Sequence, residues 1–74
     1  MFALTSAGAT KDGRSFDVHT KGGAFAGIVA EHYGRGVKVY FNTNATRGSA
    51  RTFTDIPAAL DFIHARRIKK GWRV

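Results

Sequence analysis

Between Arg14 and Lys21 apolar and polar residues alternate: Phe16, Val18 and Thr20 fall on one side, Ser15, Asp17, His19 and Lys21 on the other. A period of two marks a half-buried strand. Phe2 to Ser6 precedes it, across a Gly8 to Gly13 segment whose Lys11-Asp12-Gly13 is turn-forming, so these runs predict a first hairpin. Gly22-Gly23 then breaks the chain. From Ala24 to Tyr33 the pattern is double: Phe25, Ile28, Val29, His32 and Tyr33 suit a helix, whereas the β-branched content, Gly27 and short length suit a strand. The tight-turn signal Gly34-Arg35-Gly36 that follows favours the strand. Beyond it Val37, Val39 and Phe41 alternate with Lys38, Tyr40 and Asn42, the cleanest strand in the chain.

Thr43 to Ala50 is polar, with Arg47-Gly48 at its tip, and reads as a loop; Arg51-Thr-Phe-Thr then reads as a short strand running into a helix. Either Thr54 or Asp55 suits the N-cap, where a side-chain oxygen accepts from a first-turn N–H, and Pro57 falls where its missing donor costs nothing. Ile56, Ala59, Leu60 and Ile63 recur at helical spacing with Phe62 at the border, so one face of this helix needs an apolar partner. The order predicted is ββββα, an α+β fold with a four-stranded antiparallel sheet and one C-terminal helix packed on one face. A helix at 24–33 would instead give ββαββα.

Composition narrows the classes. A chain of 74 residues is one small basic domain with little room for an enclosed active site. The absence of cysteine excludes disulfides and thiolate metal sites. Its longest apolar run, Ala24 to Ala30, is far shorter than the ~20 residues of a membrane span. Met1 to Ala7 lacks a charged leader and an apolar core segment, so the expectation is a cytoplasmic protein with no membrane partner.

Charge changes the picture most. The chain carries twelve basic and five acidic residues, a net +7, and all of that excess lies in residues 34–74. There Arg35, Lys38, Arg47, Arg51, Arg66, Arg67, Lys69, Lys70 and Arg73 face only Asp55 and Asp61. A neutral half that folds and a basic half that meets a polyanion is the simplest reading. Lys38, Tyr40 and Asn42 would project from the open sheet face with Arg35, Arg47 and Arg51 around its edges, and Arg66, Arg67, Lys69 and Lys70 would form a solvated helix end. Such residues contact phosphates, pair with base edges and stack on unpaired bases.

The Gly-centred hairpin, the strand ending in Arg51-Thr52-Phe53-Thr54 and the helix of Ala58-Ala59-Leu60-Asp61-Phe62-Ile63 resemble the three-stranded-sheet-plus-helix DNA-binding domains of phage integrases and AP2-type proteins, over about residues 24–66. That resemblance implies a sheet entering the major groove and a reading role for Arg35, Lys38, Tyr40 and Arg51. It departs in Phe25 to His32, which holds no basic residue and no tryptophan. The chain is also similar in build to small phage inhibitors of host machinery, some anti-CRISPR proteins among them. That likeness implies an acidic protein partner instead of DNA or RNA.

Trp72 adjoins the basic helix end, with two readings: stacking on a base, or folding back to cover the sheet edge, the commoner fate of a terminal tryptophan. Asn44-Ala45-Thr46 fits the N-glycosylation pattern but reads as loop. His19, His32 and His64 lie far apart without metal-ligand spacing, and Ser15, Asp17 and His19 in a row on one strand all point outward instead of converging, so no catalytic residue, metal or cofactor is expected. Nucleic-acid binding as a monomer or homodimer is the leading expectation.

Overall fold

The computed structural model describes residues 2–41 and 51–72. Five strands and a helix follow in order: β1 Ala3–Thr10, β2 Gly13–His19, β3 Phe25–His32, β4 Gly36–Tyr40, β5 Arg51–Phe53 and α1 Ile56–Lys69. All strands pair antiparallel with their sequence neighbours, giving one sheet in the order β1-β2-β3-β4-β5. The class is α+β as expected, but the sheet has five strands, not four. The fifth is Arg51–Phe53, expected as a short strand but left out of the count of four; it pairs with Val39, Lys38 and Val37 of β4. β1 also runs further than expected. It continues to Thr10 through an irregularity between Ser6 and Gly8, so the turn shrinks to Lys11 and Asp12.

Residues 24–33 contain the strand β3, not a helix. β3 is the central strand, flanked by β2 and β4, so neither of its faces had to be polar. Val29 is fully buried towards the helix, while Ile28 and Ala30 lie half-buried on the other face. Apolar residues on both sides erase the alternation that made β2 and β4 legible.

Register fixes the two faces, because cross-strand partners point the same way. Phe16, Val29 and Val39 form one row and Val37 pairs with Phe53, all on the helix side. Val18, Val29, Val37 and Val39 are buried there with Ala59 and Ile63 of α1. Ile56, Leu60 and Phe62 pack partly buried around this centre, with Phe2, Phe16, Phe41 and Phe53 from the sheet side. The helix lies across β3, β4 and β5. Phe2 reaches it from the start of the chain, its ring edge-on to His64 with 6.2 Å between centroids. Beside β2 and β3 on the same side, Arg14 Nε donates to Glu31 Oε1 at 2.6 Å, a bond that raises the arginine's pKa; as a surface pair it contributes little to stability.

Local signals position α1. Asp55 is the N-cap, accepting from the Ala58 N–H at 2.9 Å, with Pro57 in the first turn. Gly36, which opens β4, has φ +93°, and a Cβ there would stand 2.6 Å from the Phe53 carbonyl oxygen. Only glycine admits both that backbone and that approach of β5.

Two substitutions test this packing in urea unfolding. Ile63→Ala should cost about 2–5 kcal/mol by opening a cavity under the helix. Gly36→Ala should cost at least about 1–2 kcal/mol from the left-handed backbone alone, and a wild-type midpoint for either variant would contradict the register described.

Candidate nucleic-acid interface

The expected site residues do not form one surface. Lys38 and Tyr40 pair with Ala30 and Ile28, whose own partners on β2 are Ser15 and Asp17, so all lie on the sheet face away from the helix, as expected. On the strands of that face the cation Lys38 is balanced by Asp17. Arg35 lies in the turn between β3 and β4, where its N–H donates to the His32 carbonyl at 2.8 Å; this is the end of the sheet at which α1 begins. Asn42 and Arg47 lie outside the described residues, as do the Asn44-Ala45-Thr46 triplet and Arg73.

Arg51 is on the helix side, opposite Val39, with its guanidinium 5.3 Å from the centre of the Phe62 ring. This placement was readable in the sequence. Phe53 needs the core, and a strand residue two positions away must share its face.

The basic residues of α1 converge with aromatic rings. Phe62 packs against Phe53 and Phe41, with centroids 5.1 Å and 5.9 Å apart. The Arg66 guanidinium lies over Phe41 at 3.8 Å and within 5.6 Å of the Trp72 ring centre. Arg67 and Lys70 reach the same indole at 5.4 Å and 5.1 Å. Arg51, Phe62, Phe41, Arg66, Trp72 and Lys70 thus form an unbroken series of ring and cation contacts. Cations within this range of a ring face are attracted by its quadrupole, by about 0.5–2 kcal/mol depending on exposure. A shallow groove of about 500 Å³ runs beside them, lined by Phe62, Ala65, Arg66, Lys69 and Lys70.

The geometry at the helix end follows from Gly71. It adopts φ +74°, and the chain turns back so that the Gly71 N–H donates to Ile68 O at 3.0 Å and the Trp72 N–H to Arg67 O at 2.8 Å. This paired closure is the Schellman motif, which satisfies the last carbonyls of a helix. It sets Trp72 among the cations with 46% of its surface exposed.

The electrostatics are one-sided. Arg66 precedes Lys69 and Lys70 by three and four residues, and the sequence has no acid after Asp61. Like charges at these spacings cost about 0.2–0.5 kcal/mol per pair, partly offset by the negative end of the helix dipole. Among the described residues Arg66, Lys69 and Lys70 have no carboxylate at ion-pair distance. No three His, Cys, Asp or Glu side chains of the described residues are grouped to hold a metal ion, and none of their helices is long and apolar enough to cross a membrane. No protein-family model, curated protein or solved structure matches the chain.

Trp72 is the sole tryptophan, so it reports on this end of the molecule without ambiguity. A Cβ on Gly71 would meet no atom, so Gly71→Ala perturbs only the backbone. It should cost about 1–2 kcal/mol and shift Trp72 emission towards that of free indole with helical circular dichroism retained. Unchanged emission would show that the Schellman turn does not place the ring.

Proposed function

We propose that this protein binds the phosphate backbone of nucleic acid through the basic end of α1, with Arg51, Arg66, Lys69 and Lys70 as the contacting cations. The observation that carries this reading is the set Arg66, Lys69 and Lys70, like charges at helical spacing with no carboxylate at ion-pair distance among the described residues, gathered beside a half-exposed tryptophan. That arrangement opposes helix stability, and a polyanion removes the repulsion. Arg66 has a second role. Its 3.8 Å contact with Phe41 ties the helix end to the sheet, whereas the side chains of Lys69 and Lys70 are exposed, Lys70 beside the Trp72 indole.

This mode differs from the sheet-in-groove docking implied by the likeness to integrase and AP2 domains. There Lys38 and Tyr40 would dominate; here the strands of their face carry one cation, Lys38 on β4, and one anion, Asp17 on β2, while the cations of the helix end lie on another surface. Contact is with backbone phosphates, so sequence preference is weak.

Fluorescence anisotropy of labelled oligonucleotides across a salt series tests the reading. Four phosphate contacts predict that log K falls with log salt at a slope near −3 on a single strand. Lys69→Ala with Lys70→Ala should weaken binding and flatten the slope by roughly 1.4, while Lys38→Ala should leave both unchanged. A slope near zero, or loss of binding in Lys38→Ala alone, would contradict the proposal; absence of binding at low salt would point to an acidic protein surface as the partner of these cations.

A further inference from the structure

We infer that the helix end is built for an unpaired nucleotide: a base stacked on Trp72, its sugar on the Phe62 and Ala65 floor of the groove, its phosphate among Arg66, Lys69 and Lys70. This rests on the phosphate-binding reading and adds a preference for single strands over duplex.

Three features of the structure lead there. First, the groove combines an apolar floor with a cationic rim, and at about 500 Å³ it has the volume of a small-ligand site. Second, Arg66 and Lys70 line this groove and also flank the indole, so ring and groove are parts of one surface. Third, the indole is 46% exposed although a fold this small gains from every ring it buries.

The ring attracts the cations around it, and its exposed part remains open to a base. A base in a duplex has its faces hidden by its neighbours, whereas an unpaired base presents a π-face to an aromatic side chain. The Schellman hydrogen bonds hold the Trp72 backbone before any ligand arrives, which lowers the ordering cost of stacking. The nearby cations serve both partners: they sit within reach of the ring and of a phosphate one bond series away from the stacked base.

The test compares three probes carrying the same number of phosphates: an oligothymidylate, a strand of equal length without bases, and a hairpin duplex. Each is titrated by anisotropy, and unlabelled forms are followed by Trp72 emission. The thymidylate should bind roughly tenfold tighter than the abasic strand, consistent with the stacking of one base, and should quench the tryptophan while the abasic strand does not. Trp72→Ala should reduce thymidylate binding to the abasic level, and Trp72→Phe should retain most of the difference. Equal affinity for all three probes without quenching would overturn the nucleotide site and leave phosphate binding standing. Failure of every probe to bind at low salt would overturn both.

Discussion

The burial of Ala59 and Ile63 against the valines of β2, β3 and β4 is the constraint on which everything else depends. Both helix residues are completely inaccessible to solvent, as are Val18 and Val29 beneath them. Once that face is fixed, the direction of α1 is fixed too. Its capped start lies by the turn between β3 and β4, and its other end lies beside Phe41 at the far end of β4. The polar face of the last turns is then bound to stand at the sheet's margin. Four of the five residues from Arg66 to Lys70 are cations, and they arrive there together.

Aromatic rings convert this margin into a surface. Phe53 comes from β5, Phe41 from the residue after β4, Phe62 from the helix and Trp72 from the turn after it, yet they lie in succession beside Arg51, Arg66 and Lys70. The contact of Arg66 with Phe41 is part of the packing, and the tryptophan is held by backbone hydrogen bonds. Lys69 and Lys70 remain exposed, Lys70 at the rim of that indole. A division of labour within one helical turn, some cations stacked and others free to meet an anion, is the physical basis of the proposed function.

Most of the fold was legible in the sequence because its strands are half-buried. Val18 and Thr20 point inward as alternation requires, and so do Val37 and Val39. The helix start was legible through Asp55 and Pro57. β3 and β5 were read as strands from their context and not from their own pattern, because β3 is apolar on both faces and β5 is too short for a period; the full extent of β1 escaped because that strand is exposed along its whole length. The site was legible as charge but not as shape. Net charge located the basic half; the face of Arg51 follows from that of Phe53 two positions on, and only the turn at Gly71 shows where Trp72 goes. Gly71 directly after a basic helix end was itself a readable stop signal.

Nuclear magnetic resonance reads out where on the molecule the ligand sits. A ¹⁵N-labelled sample titrated with a short oligothymidylate should show amide shifts confined to Phe41, Arg51, Phe62 and the stretch from Arg66 to Trp72, together with a large shift of the Trp72 indole N–H. Shifts centred instead on Asp17, Ile28, Lys38 and Tyr40 would place the ligand on the open sheet face and contradict the account.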